Sequence, residues 1–492
     1  MSGTRGFRLV ALASILVLTG IAAGAVASSD KILCITLPLV VSTGGILHFL
    51  ITKKKTVLVL FIAFAIGFSA AATDFQAFDR TYYNGNTTVT GRVCGKENNG
   101  FVIEDVTLGG EKVGGKALVR SDYDYDVGTT VSFEGEVKTY DVDVRDTFSA
   151  RNFNRRTYYR VKVKSGIKAE VGNKSLSEKA KSRIETAINR YLNSQNAGVM
   201  KSLLFGDKTD LTEQDDEVIK VAGVSHVFAV SGLHIGFLAG LIMFVLRKLR
   251  VNSVATLFVV IGWLLFYGAM TGFPSGVKRA TIMLGLMQTS KIFARKNDSI
   301  TTLGLSAAII TLTNPRELFD VGFLMSFAAV LGIGCFYQPF FNAFCKITKN
   351  KFFVHVFKLL ATTLSANLFV LPITINVFNS VSVYAPLANL VILPVVSVVF
   401  PFATATAILS LVFEKLGVLF YVTGYAVDVI RIMAQRIYAL PSASAEITSL
   451  GDATWFYILF LVIFSRFIHI EKKYKFVLGG ACGTAIILVA LL

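Results

Sequence analysis

The chain has 492 residues, 53% hydrophobic and only 16% charged, where a soluble domain carries about a quarter charged residues. Its net charge of +17 would suggest nucleic acid on a soluble protein, but in a membrane protein Lys and Arg gather in cytoplasmic loops. Cys34, Cys94, Cys335, Cys345 and Cys482 form no CxxC pair and the histidines no nest, and phosphate-loop and dinucleotide fingerprints are missing, so no metal and no cofactor are expected.

The apolar residues form long continuous blocks. A helix needs about 20 of them to cross the hydrocarbon core, and in lipid only helices or closed barrels satisfy the backbone. The expected fold is an α-helical polytopic membrane protein of about 11 to 13 transmembrane helices with one inserted OB-like β-barrel domain.

Residues 1–75 predict three spanning helices, at 9–27, 32–51 and 56–72. Arg5, Arg8 and the turn Lys53-Lys54-Lys55 place the N-terminus inside the cytoplasm and the following segment outside it. Residues 80–170 alternate as short strands, at 87–93, 100–106, 116–119, 130–139 and 158–164, separated by turns such as Asn98-Asn99-Gly100 and Gly109-Gly110. This is the predicted extracytoplasmic OB-like domain. Residues 175–220 predict an amphipathic helix at 176–191 and an acidic loop at 207–217. Residues 221–492 return to the membrane, with spans predicted at 226–246, 253–270, 277–293, 301–312, 321–337, 354–378, 383–413, 416–436, 455–467 and 476–492. The clusters Arg247-Lys248-Arg250, Arg295-Lys296, Lys346/Lys349/Lys351 and Lys472-Lys473-Lys475 fall on alternate turns, all cytoplasmic if the β-domain is outside.

Polar groups inside apolar segments are costly and point to function or to internal pairing. Ser231 and His234 are spaced to share a helix face, in a segment where Gly232, Gly236 and Gly240 would admit a close neighbour. The pair reads as the lining of a path, as an interhelical hydrogen bond, or as a nucleophilic pair, although no GxSxG elbow surrounds it. Lys278 and Arg279 open a helix where the dipole disfavours cations, so they call for an anionic partner: a ligand, Asp320 or lipid headgroups. Asp320 itself suits a helix N-terminus. Asn367, Pro372, Asn376, Asn389, Pro394 and Pro401 interrupt apolar helices, as in segments that line water. In the β-domain, Arg151, Arg155, Arg156, Arg160 and Lys162 alternate with Tyr158, Tyr159 and other aromatics. Phosphates need charge and bases stack on rings, so this run suits single-stranded nucleic acid; anionic lipid headgroups are the other candidate.

Together, His226 with Ala229-Val230-Ser231-Gly232-Leu233-His234-Ile235-Gly236, Pro274-Ser275-Gly276-Val277-Lys278-Arg279-Ala280 with Met283, Pro315 with Asp320-Val321-Gly322-Phe323 and Ser326-Phe327, then Leu371-Pro372 with Ala388-Asn389-Leu390 and Pro394, resemble the ComEC family of competence proteins. The family consists of inner-membrane channels of bacterial DNA uptake. The resemblance implies passage of single-stranded DNA through the bacterial cytoplasmic membrane during natural transformation. An outer receptor would deliver the DNA and a cytoplasmic ATP-driven translocase would draw it in. Ser231, His234, Lys278, Arg279, Asp320, Asn367 and Asn389 would be the polar positions of the channel. Family members often carry a C-terminal metallo-β-lactamase-like domain; this chain, with no histidine nest, is expected to lack it, so nuclease activity is expected to be absent or supplied elsewhere and no catalytic residue is assigned. Leu324 stands where the family commonly has Gln, and the outer domain has no cysteine pair. The rival readings are a transporter of another polyanion or cell-wall precursor, and a membrane-embedded hydrolase using Ser231 and His234.

Overall fold

A computed structural model describes residues 2–27, 55–76, 83–97, 100–121, 125–140, 155–170, 174–294, 298–347, 350–447 and 453–465, with isolated positions between them. The predicted spans at 32–51 and 476–492, and Arg151, lie outside the described residues, isolated positions apart. Among the described residues, five helices are long and apolar enough to cross a membrane: Ser253–Thr271, Val321–Phe344, Lys351–Phe378, Ala385–Val412 and the continuous Glu414–Tyr438. The chain is a multi-pass membrane protein. The predicted 11 to 13 spans are not reached among the described residues, because several expected spans are shorter helices, such as Ser299–Thr313 with 15 residues.

The chain divides into two compact units. The first comprises Met1–Arg183 and Ser253–Phe323. Its leading helices, Ser2–Ala27 and Lys55–Gln76, pack closely because small residues sit where they meet. A Cβ on Gly20 would lie 2.3 Å from the Phe64 carbonyl oxygen, and one on Gly67 2.2 Å from that of Val17. Without a hydrophobic drive in lipid, such backbone approach is what holds two helices together. Val17, Ile21, Ala63 and Ala71 are buried there with Ala308 of the helix Ser299–Thr313.

The β-domain of this unit has strands β1 (Asn84–Glu97), β2 (Gly100–Leu108), β3 (Glu111–Lys112), β4 (Lys116–Arg120), β5 (Thr130–Thr139) and β6 (Thr157–Glu170). All run somewhat beyond the sequence expectation except β5, and β3 was not anticipated. Period-two alternation sends Val89, Val93, Phe101, Ile103, Phe133 and Val161 into one core. Each such buried side chain stabilises by roughly 1.5–3 kcal/mol. The sheet order is β1-β5-β6-β4-β2-β3, and β1 also pairs with β2; β4 and β6 run parallel, the other pairs antiparallel.

The second unit comprises Ile184–Asn252 and Leu324–Leu492. The helix Ser194–Phe205 is buried along most of its length, capped by the Asn193 side chain and ended by Gly206 at φ 70°. The predicted acidic loop 207–217 is only partly a loop. Thr212 caps a helix, Glu213–Val221, whose first turn holds Glu213, Asp215 and Asp216, where acids complement the dipole. The prolines do not interrupt the long helices as expected: Lys351–Phe378 runs through Pro372, and Ala385–Val412 through Pro394 and Pro401. Each proline forfeits one backbone bond, and membrane helices absorb that loss through neighbours and hydroxyl side chains.

Asp216 sits between Lys208 at 2.8 Å and Lys220 at 2.5 Å. Burial works to raise its carboxyl pKa, but the two ammonium groups outweigh it and hold the group below its ordinary 3.8. A carboxyl depressed by folding adds stability that is whole above the unfolded value and fades as pH falls through the folded one. Asp216→Asn should therefore flatten the acid limb of the chain's thermal stability below that ordinary value. An acid limb identical to the parent's would refute the assignment.

Candidate functional site

In the second unit the expected helix at 226–246 begins six residues late, as Gly232–Lys248. Residues 224–229 are held in turns, with Phe228 and Ala229 N–H both donating to the Ser225 carbonyl. Ser231 has extended backbone, φ −113° and ψ 170°, and is the N-cap, so it does not share a helix face with His234. His234 occupies the third helical position, and the two form a capping box. The Ser231 N–H donates to His234 Nδ1 at 3.1 Å, and Ser231 Oγ is 3.0 Å from the same nitrogen. A nitrogen that accepts a backbone N–H carries no proton, which places the imidazole proton on Nε2. Nε2 is buried with no hydrogen-bond partner among the described residues. The Phe400 ring stands edge-on at 4.3 Å. This geometry is a helix cap: Nδ1 is already engaged, and no carboxylate orients the far nitrogen among the described residues.

Gly236 and Gly240 do not form the expected close approach, since a Cβ on either would meet nothing within 4 Å among the described residues. Asn389 is buried, and its Oδ1 also has no partner among them. Asn389 and Phe400 lie three helical turns apart on one face of Ala385–Val412. Asn367 is half-buried in Lys351–Phe378.

In the first unit, Lys278 opens the helix Ser275–Ile292 and pairs with Glu317. Its expected anionic partner is thus internal, though it is Glu317 and not Asp320. Arg279 is 8% exposed, with Nη1 3.8 Å from Met283 Sδ. Asp320 Oδ1 accepts the Phe323 N–H at 2.9 Å, the expected helix-start role. Gly322 lets Asp320 and Ser275 draw near, since a Cβ there would lie 2.9 Å from Asp320 Oδ1 and 3.0 Å from Ser275 Oγ.

On the β-domain, Arg160, Lys162 and Lys164 leave one face of β6 by alternation. Register sets Lys138 of β5 opposite Arg160, and both Glu136 of β5 and Arg120 of β4 opposite Lys162. The result is a cationic row in which Glu136 sits 3.1 Å from Lys138 and 3.8 Å from Lys164. The Lys138 ammonium holds the Glu136 carboxyl below its usual range, so it stays ionised. Arg155 is exposed, 3.8 Å from Glu97, and Arg156 pairs with Asp74 at 3.4 Å. The two tyrosines are not the stacking faces expected of them. A register shift between Lys116 and Ala117 lets both neighbours turn inward. Tyr159 is 2% exposed, and the Tyr158 hydroxyl accepts from Arg316.

Two buried ion pairs escaped the sequence expectation, Arg316 with Asp74 and Arg431 with Asp215. The only signal for the first was an acid closing an apolar helix, Lys55–Gln76. No group of three or more potential metal ligands occurs among the described residues.

The family described as Competence protein matches residues 203–472, more than half of the chain. The chain is 26% identical over 238 residues to ComE operon protein 3 of Bacillus subtilis, covering 47% of this chain and 29% of that protein. It is 26% identical over 216 residues to Recombination protein 2 of Haemophilus influenzae, covering 41% and 27%. It is 24% identical over 206 residues to the uncharacterized protein YcaI of Escherichia coli, covering 40% and 27%. The chain thus matches less than a third of the length of these relatives. No solved structure matches it.

Proposed function

The chain belongs to the Competence protein family, and on that premise we propose that it passes single-stranded DNA through the bacterial cytoplasmic membrane during natural transformation. The observation that carries this is the family match over residues 203–472, which takes in the Ser231/His234 cap and all the helices after it up to residue 464. The N-terminus lies in the cytoplasm and the β-domain outside. That domain is an OB-like barrel. Its support is the pairing circuit, in which β1 bonds to both β2 and β5 and β4 runs parallel to β6.

The row Arg120, Lys138, Arg160, Lys162 and Lys164, with Arg155 nearby in sequence, receives the strand through its phosphates. Ser231, His234, Lys278, Arg279, Asp320, Asn367 and Asn389 are the polar positions of the channel. An outer DNA receptor and a cytoplasmic ATP-driven translocase complete the process. A carrier of another polyanion would draw on the same cationic row, and the inward turn of Tyr158 and Tyr159 favours it by removing two base-stacking faces. The experiment supplies labelled DNA to cells with the gene and to cells from which it is deleted. Internalised label should vanish in the deletion and return when the gene is restored. Equal uptake in both would refute the proposal.

A further inference from the structure

Within the first unit, one short 3-10 turn, Pro315–Phe319, points its neighbouring charges in two directions. Arg316 is 2% exposed. Its Nε lies 2.8 Å from Asp74 Oδ2, its Nη2 donates to the Asp74 carbonyl oxygen at 3.2 Å, and its Nη1 donates to the Tyr158 hydroxyl. The guanidinium carbon also stands 5.7 Å from the Tyr158 ring centroid. Asp74 ends the membrane-side helix Lys55–Gln76, and Tyr158 belongs to β6, the strand that carries Arg160 and Lys162. Glu317, the next residue, pairs with Lys278 in the first turn of Ser275–Ile292.

Tyr158 is itself fixed from behind. Gly115 has φ +94°, and a Cβ there would lie 2.2 Å from Tyr158 Cδ2, so the ring packs directly on the glycine backbone. A guanidinium offers donors in a fixed planar fork, which lysine cannot reproduce. One buried side chain therefore forms an ion pair with a carboxylate and donates hydrogen bonds to a carbonyl and a phenol, from two different parts of the chain.

We propose that Arg316 is a positioning residue, a clasp that holds β6 and its cationic row at a fixed offset from the helix bearing Lys278 and Arg279. The consequence for uptake rests on the proposed passage of DNA; the clasp itself does not. A strand held at Arg160 and Lys162 then meets the start of that helix in one orientation, where a loosely tethered domain would offer many. Fixed geometry of this kind governs transfer far more steeply than it governs binding.

The test uses the full chain in lipid nanodiscs, with its own cysteines replaced by serine and spin labels at Glu111→Cys and Lys291→Cys, both exposed positions. The parent should give one narrow distance. Arg316→Ala and Tyr158→Phe should broaden it, with Arg316→Lys broadening it too despite the retained charge. In cells, Tyr158→Phe should keep the parent's affinity for single-stranded DNA but lose uptake on the order of tenfold or more. If Arg316→Ala fails to fold, Tyr158→Phe decides, since it removes a single oxygen. A distance that stays narrow in every folded variant overturns the clasp. Because the distance is read without DNA, absence of uptake by the parent would sink the proposed function and leave this result to stand or fall alone.

Discussion

Replacing Arg160 and Lys162 together by Gln should flatten the salt dependence with which the full chain binds single-stranded DNA. The two side chains leave the same face of β6, and Glu136 is the carboxylate set opposite Lys162 in the β5–β6 ladder. Binding to a single strand releases counterions, and each neutralised phosphate contributes about 0.7 to the slope of log affinity against log salt. Losing two contacts should lower that slope by about 1.4. Lys112→Gln is the matched control: it is an exposed cation already paired with Asp105 at 2.9 Å, and it lies on β3, away from the row. Fluorescence anisotropy on the chain in neutral-lipid nanodiscs, from low to moderate salt, reads the difference. An unchanged slope in the double variant would remove the row from DNA binding. If the parent binds no DNA but binds anionic lipid vesicles, and the double variant loses that binding, the row is a headgroup contact.

The second large effect is expected at Asp215. Its carboxylate is 5% exposed and receives the Arg431 Nε and Nη2 at 3.2 Å each. Arg431 also donates to Asn196 Oδ1 at 3.4 Å and Gln195 Oε1 at 3.1 Å. These contacts fasten the helices Ser194–Phe205 and Glu213–Val221 to Phe420–Tyr438 within the second unit. Removing one member of a buried pair strands the other charge, at a cost of about 3–5 kcal/mol, whereas replacing both by apolar residues of similar volume is often neutral. Asp215→Ala should therefore lower the thermal midpoint of the purified chain sharply, and Asp215→Leu combined with Arg431→Met should recover most of it. A neutral Asp215→Ala would show that water or lipid screens the pair.

The long apolar helices and all the main strands were legible in the sequence because both periods are carried by many residues at once. The Thr130–Thr139 strand matched at both ends. What failed depended on single local choices. Ser231 was expected on a helix face, yet Ser followed three residues later by a polar side chain is also a capping signature, and the cap won. Pro372, Pro394 and Pro401 were expected to break helices, but in lipid the backbone has no water to turn to, so the helices continue through them. Tyr158 and Tyr159 would have alternated had a register shift not turned both inward. Partner choice was the least legible. Lys278 chose Glu317, and Arg316 chose Asp74 from 242 positions away, pairings set by tertiary approach that no spacing rule encodes.

Passage of DNA through this chain can be caught in transit. A labelled single strand carrying photoreactive bases and a bulky trailing group, supplied to cells making the chain, would stall in transit and crosslink on illumination. Adducts are expected on the cationic strand β6 and on helices within residues 203–472. Stalled uptake that yields crosslinks to other proteins and none to this chain would rule out passage through it.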